Sequence, residues 1–222
     1  WRDALECAES VLRSTYPDYQ LVLVDNDSPD TSADNFIQWA EGTLTPPTPY
    51  ASPLQDARLT SPKPLPYICY SREEALRGGD PAAERKRVEG TSAALARPVI
   101  FIRTGKNLGF AGGNNIALRM ILQRNDAEYV WLLNPDMVVT PDTLSSLAEF
   151  ASKQENASAV TGGIIQDYHR PGKILFYGGA KINSWQGTVS FIRKPEQIRE
   201  MDYVSGGFLF TRAKHFRDIS LL

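Results

Sequence analysis

Apolar residues recur along this chain at two spacings, and the alternation between them outlines its elements. In "WRDALECAESVLRS" Leu5, Ala8, Val11 and Leu12 fall on one helical face, and "YPDY" ends that helix with a proline before the apolar run "QLVLVDN". The pair reads as a helix followed by a buried strand. "SPDTSADNFIQWAEG" then predicts a turn, a serine or aspartate cap near Ser32, and an amphipathic helix carrying Phe36, Ile37 and Ala40 that stops at Gly42. The same order repeats further on: "RPVIFIRT" is a β-branched strand, "TGKNLGFAGGNN" a glycine-rich turn, and a helix follows from about Gly113 to Arg124. "AEYVWLLNPDMVV" is a third strand, "TPDTLSSLAEFASKQ" a helix with Thr140 as cap and Pro141 at its first position, and "ASAVTGGII" a fourth strand. Alternating positions through "ILFYGGAKINSWQGTVSFI" suggest hairpins before "MDYVSGGFLFTRAKHF". Strand, loop and helix in repetition predict an α/β fold: a mostly parallel sheet with helices on both faces and ligands beyond the carboxyl ends of its strands. Tyr129, Trp131 and Phe150 are expected in the core, and Trp185 and Tyr177, in the hairpin region, are candidates to stack on a sugar ring, although aromatics are common in strands.

One stretch departs from this order. From about residue 43 to 97 the chain turns rich in proline, threonine and serine, then charged through "RGGDPAAERKR", and reads as a long insertion or flexible loop within a single domain spanning 1–222. The 24 Lys and Arg residues balance 26 Asp and Glu, which disfavours nucleic acid as a partner. Cys7 and Cys69 form no CxxC pair and His169 and His215 stand apart, so neither a disulfide framework nor a zinc site is expected, and a reducing compartment is. No apolar run approaches the roughly 20 residues that cross a bilayer. The chain opens on Trp1 already in helical register and reads as a fragment.

Chemistry concentrates where three strands finish. "VDNDS", "IRTGKN" and "LLNPD" gather Asp25, Asn26, Asn107, Asn134 and Asp136 on one sheet edge. Asp25 and Asp27 suit a base or ribose as hydrogen-bond acceptors, although Asp after a strand is also an ordinary turn residue. Gly109, Gly112 and Gly113 permit positive φ and close backbone approach, and the helix after them offers N–H groups to an anion such as a phosphate. "GKNLGFAGG" matches neither the GxGxxG nor the GK[ST] nucleotide loop. Asn134 and Asp136, at alternate positions of an extended segment stiffened by Pro135, are expected to point together at a divalent cation.

Four ordered motifs, "LVLVDNDSPDTS", "NLGFAGGNNIALR", "VWLLNPDMVVTPDTL" and "DYVSGGFLFTR", resemble family 2 glycosyltransferases of the GT-A fold, and within them the bacterial rhamnosyltransferase-like branch. The resemblance implies a Rossmann-like GT-A domain, a nucleotide-diphosphate sugar donor, a saccharide or glycolipid acceptor, a divalent cation (Mg²⁺ or Mn²⁺), and inversion at the anomeric carbon. It further implies a role in cell-surface polysaccharide synthesis, in the cytoplasm or peripherally at the inner face of the plasma membrane. Asp25, with Asn26 and Ser28, would contact the nucleoside, and Asn107, Gly109, Gly112, Gly113 and Asn114 would lie beside the donor, whose diphosphate sugar would occupy the space the glycines leave. Asn134 and Asp136 would complete the donor site, Asp136 standing where the family's DxD motif has its last carboxylate, and Gly206 and Gly207 would border the acceptor. Family members also carry a strand ahead of the first helix and an acidic pair after the "SGG" segment, one of which serves as base. Here Asp218 is the only late acid, too close to Gly207 to be assigned, so the catalytic base is unassigned and the domain reads as incomplete at both ends. A noncatalytic nucleotide-sugar binding module, or an inactive fragment, is the alternative. A nucleotidyltransferase would want a basic glycine-rich loop where "VDNDSPDTS" offers acids.

Overall fold

Alternation along a single strand, Val99–Arg103, explains how the first half of the chain is layered. The computed structural model describes residues 1–45, 61–90, 96–153, 159–170 and 172–222. Strands β1 (Val22–Asp25), β2 (Tyr67–Ser71) and β3 (Val99–Arg103) form a parallel sheet in the order β1-β3-β2. Val99 and Phe101 pack on one side against Leu5 and Ala8 of helix α1 (Arg2–Leu12) and Phe36 and Trp39 of α2 (Ser32–Glu41). Ile100 and Ile102 pack on the other against Tyr70, Ala75, Ile116 and Met120, the last three from α3 (Arg72–Leu76) and α5 (Gly109–Arg124). A strand covered on both faces has no polar alternation, as the run "VIFI" shows. β1, also read as buried, is only half-buried, because it lies at an edge of the sheet.

The helix on the first side is fixed by a polar group as well. Glu9 of α1, nearly inaccessible, accepts from Trp39 Nε1 at 2.7 Å and from the Ser61 N–H at 2.9 Å, and Lys63 Nζ lies 3.0 Å from the same carboxylate. Three separate segments therefore meet on one buried charge.

Part of the stretch read as a flexible insertion is regular structure. It supplies β2, α3 and helix α4 (Pro81–Val88). Ser71 and Glu74 make a reciprocal capping box at the start of α3, and Asp80 Oδ1 accepts from the N–H groups of Ala82 and Ala83 ahead of α4. Within "ERKR", Glu84 is buried: it accepts from the Tyr70 hydroxyl at 2.7 Å and pairs with the Arg124 guanidinium. Residues 46–60 and 91–95 of that stretch lie outside the described residues.

A second correction concerns the third strand. β4 (Tyr129–Leu133) pairs antiparallel with β10 (Phe208–Arg212) and hydrogen-bonds to no strand of the parallel sheet. Phe208 and Phe210 pack with Val11 and with Leu144 and Leu147 of α6 (Thr143–Ser152), while Val130 and Leu132 pack with Leu118 and with Phe216 of α7 (Ala213–Asp218). Tyr129 stacks on Phe210 and Trp131 meets Phe208 edge-on, as core positions do, but Phe150 is exposed. The remaining strands are short and antiparallel: β5 (Ile164–Gln166) with β6 (Ile174–Tyr177), and β7 (Gly179–Asn183) between β8 (Thr188–Phe191) and β9 (Tyr203–Val204). β6, β7 and β8 occupy the region whose alternation suggested hairpins, whereas β5, read as a fourth strand of the mostly parallel sheet, pairs antiparallel with β6 in a sheet of its own.

Two helix starts differ from expectation. α6 begins at Thr143, with Asp142 rather than Thr140 at its N-cap position and Pro141 ahead of the helix, whereas α2 opens near Ser32 as expected, the Asp30 carboxylate accepting from the Ser32 N–H and hydroxyl, and Gly42 closes it in the left-handed region at φ 83°. α5 begins at Gly109, one turn ahead of Gly113, so Gly112 and Gly113 are helical. Among the described residues, no helix is long and apolar enough to cross a membrane.

Candidate functional site

Parallel pairing in register sets Asp25, the last residue of β1, beside Arg103, the last of β3. Together with the loop into α2 they line a cavity of about 130 Å³ whose wall includes Asp25, Asp27, Ser28, Asp30, Asp34, Arg103 and Gly105. The Asp25 Oδ1 accepts from the Ser28 N–H at 3.1 Å, a turn role, and its second carboxylate oxygen has no partner among the described residues. Asp27 sits at φ 64°, in the left-handed region that Asp tolerates. Hydrogen bonds from the Ser32 hydroxyl and N–H hold the Asp30 carboxyl below its ordinary range. Arg103 has no ion-pair or hydrogen-bond partner among the described residues. A guanidinium thus stands free beside carboxylates at the sheet's carboxyl edge, where such sheets bind ligands.

Asn26 ties this cavity to the glycine segment. Its Nδ2 donates to Asn107 Oδ1 (3.3 Å) and to the Gly109 carbonyl (3.1 Å), while its Oδ1 accepts from the Leu108 N–H at 3.1 Å. Asn107 Oδ1 also accepts from the Gly109 N–H at 2.9 Å, and the buried Thr104 donates its hydroxyl to the Lys106 carbonyl at 2.9 Å. Asn26 and Asn107 therefore shape the loop, and their amides are engaged within the chain. Asn114 is likewise engaged, donating to the Phe110 carbonyl at 2.9 Å.

The space expected at Gly112 and Gly113 is filled by the chain itself. A Cβ at Gly112 would lie 2.7 Å from the Leu108 Cβ, and one at Gly113 would lie 3.0 Å from the Asn26 Cγ. These two glycines admit neighbouring side chains, not a ligand. Open backbone occurs instead at Gly105 and Gly109, at φ 63° and 70°, where nothing lies within 4 Å of a Cβ position. Gly105 borders the cavity, and Gly109 opens α5 behind Leu108, whose own side chain offers no cap.

Asn134 and Asp136 do not project together from an extended segment. The Met137 N–H donates to the Asn134 carbonyl at 3.2 Å, making 134–137 a turn. Asn134 is half-buried beside Gly207, whose carbonyl accepts its N–H at 2.8 Å, whereas Asp136 is exposed, with no hydrogen bond or ion pair among the described residues. A Cβ at Gly207 would meet Asn134 Nδ2 at 3.0 Å and Met137 Cε at 3.1 Å, so Gly207 is small to admit those side chains. Gly206 faces the Phe110 ring. The "SGG" segment consequently joins the turn and the start of α5 into one surface. Among the described residues no three His, Cys, Asp or Glu side chains converge on a cation. Asp136 presents one exposed, unpaired carboxylate at this turn, a hard oxygen ligand of the kind that Mg²⁺ or Mn²⁺ takes.

From beneath, α1 holds this turn. The Cys7 thiol donates to the Asn134 carbonyl at 3.6 Å, and Ser10 Oγ, buried, accepts from the Val139 N–H at 3.1 Å. Arg103, Thr104, Cys7 and Ser10 were not picked out by sequence. A polar residue closing an apolar strand, as Asp25 also does, was the available signal for Arg103; Cys7 and Ser10 carry none, since they lie on an ordinary amphipathic helix. Asp218 ends α7, whose Arg217 bonds the Asn125 side chain at the far end of α5.

The sequence model of Glycosyl transferase family 2 matches residues 86–220, more than half of the chain, and spans the glycine segment, the 134–137 turn and the "SGG" segment. Asp25 to Ser28 lie ahead of the matched span but share the cavity with Arg103 and Gly105 inside it. No curated protein and no solved structure matches the chain.

Proposed function

Because the chain belongs to glycosyl transferase family 2, whose members are transferases that use activated sugar donors, we propose that it binds a nucleotide-diphosphate sugar across the carboxyl ends of β1, β3 and β4 and passes the sugar to a saccharide or glycolipid. The observation that carries this reading is the free Arg103 guanidinium set among Asp25, Asp27 and Asp30 at the strand ends. Carboxylates accept from a base and from ribose hydroxyls, and a guanidinium pairs with a phosphate. Bare backbone at Gly105 and Gly109 lets the diphosphate lie close to the chain, toward the opening of α5. Asp136 would hold a divalent cation that neutralises charge on the departing nucleoside diphosphate.

In the reaction that follows, an acceptor hydroxyl oxygen forms the new bond to the anomeric carbon as the bond to the diphosphate oxygen breaks, with inversion. The hydroxyl proton goes to a base not among the residues assigned. We place the activity in bacterial surface-polysaccharide synthesis of the rhamnosyltransferase-like type, on the strength of the four motifs. Calorimetric titration with a panel of nucleotide diphosphates and nucleotide sugars, with Mn²⁺ and then with chelator, tests the donor half. Metal-dependent binding of one nucleotide is expected; the same affinity in chelator would remove the cation from the reading, and binding of none would remove the donor site.

A further inference from the structure

The hairpin β7–β8 projects apolar groups that the strand-end site does not use. Trp185 at its turn is 99% exposed, and Ile182 and Val189, directly opposite one another in the pairing register, are 48% and 52% exposed. The turn is built rather than loose: Asn183 Oδ1 accepts from the N–H groups of Trp185 and Gln186, each at 3.1 Å. Phe191 continues the Val189 face and stacks on Phe176 with centroids 4.6 Å apart. Single exposed apolar side chains are ordinary, but an opposed exposed pair on a hairpin whose turn carries a fully exposed indole is not.

Cations outnumber acids around this patch, although the Asp202 carboxylate accepts from the Ile182 N–H at 2.7 Å and Glu196 follows Lys194 closely. From Tyr168 to Lys194 there are five cations, Arg170, Lys173, Lys181, Arg193 and Lys194, and no acid, in a chain whose net charge is −2. Asp167 holds Arg170 and Lys173, and Glu200 holds Lys181 at 3.0 Å, which leaves Arg193 and Lys194, both exposed, without partners among the described residues. We propose that this hairpin docks on an anionic lipid bilayer, with Trp185, Ile182 and Val189 entering the headgroup region and Arg193 and Lys194 meeting lipid phosphates. Indole rings settle at that depth because they are apolar with one polar edge, and Lys and Arg are drawn to anionic leaflets. The proposal does not rest on the donor reading, because it needs no nucleotide.

The test is co-sedimentation of the purified 222-residue chain with vesicles of equal phosphatidylglycerol and phosphatidylcholine, and with phosphatidylcholine alone, while tryptophan emission is followed. Partition into the anionic vesicles is expected, with an emission blue shift that Trp185→Ala removes. Trp185→Ala, and Arg193→Glu combined with Lys194→Glu, should each lower partition by about tenfold with unchanged circular dichroism. The proposal is overturned by no partition, by partition that these exposed substitutions leave unchanged, or by an emission shift that depends on protein concentration or free oligosaccharide instead of lipid.

Discussion

The Cys7 thiol and the Asn134 carbonyl, 127 positions apart in sequence, are joined by a hydrogen bond of 3.6 Å that fixes the 134–137 turn to α1. Because the Asn134 N–H also donates to the Gly207 carbonyl, one residue is gripped on both sides of its backbone, by α1 and by the "SGG" segment. Asp136, two residues on, is thereby presented at the surface without a bond of its own.

Burial, and then the negative charge of Asp136, pushes the Cys7 thiol from 9.0 up to about 12. The folded chain keeps this proton where the unfolded chain gives it up, so the stability it lends is complete below about pH 9 and is lost as pH rises toward 12. Denaturant midpoints at pH 8 and pH 10 should fall further for the wild type than for Cys7→Ala, which itself should be less stable at pH 8 by about 1–2 kcal/mol. Equal slopes for the two chains would mean that the thiol is not held protonated.

Asp136→Ala is expected to abolish the Mn²⁺-dependent increment in nucleotide affinity and leave affinity in chelator unchanged. Its stability should stay within about 0.5 kcal/mol of wild type, because the side chain is exposed and unbonded. A retained Mn²⁺ increment would count against the cation role.

Arg103→Ala should weaken binding of a nucleoside diphosphate by about tenfold and of the bare nucleoside little, since the guanidinium is assigned to a phosphate. Loss of both in equal measure would assign it to the base instead.

Gly112→Val should act on folding first, lowering stability by about 1–3 kcal/mol as its side chain displaces Leu108 at the start of α5. A full-stability variant that fails only to bind nucleotide would restore the reading of that glycine as a ligand space.

Glu9→Gln should cost about 3 kcal/mol by leaving Lys63 buried without its counter-charge. The double change with Lys63→Met should cost less than the two single changes summed. Additive losses in urea denaturation would show the pair to be uncoupled.

Local signals were legible in the sequence and distant partners were not. The strand "VIFI", the αL stop at Gly42 and the strand, loop, helix order follow from periodicity and from a glycine's freedom, both written in a few neighbouring residues. β2 was missed because five residues, "YICYS", stand in a proline-rich context that outweighed them. β4 was placed in the parallel sheet because its apolar run does not say which strand it pairs, and its partner β10 lies some 80 positions on. At the site, glycine spelled out the lack of a side chain, but only the fold shows that Leu108, Asn26 and Asn134 fill the space at Gly112, Gly113 and Gly207. Asn134 and Asp136 looked alike at alternate positions until the turn sent one inward and left the other outside.

The strand order β1-β3-β2 carries a consequence for how the chain comes off the ribosome. β1 and β2 are made first and are not neighbours; each waits for β3, the last of the three to be synthesised, which pairs with β1 at a separation of 78 residues. Until β3 is made, β1 and β2 have no partner in this sheet, and α1 and α2 lack the Val99 and Phe101 side chains they pack on in the fold. The parallel sheet cannot be completed before "VIFIR" has been synthesised.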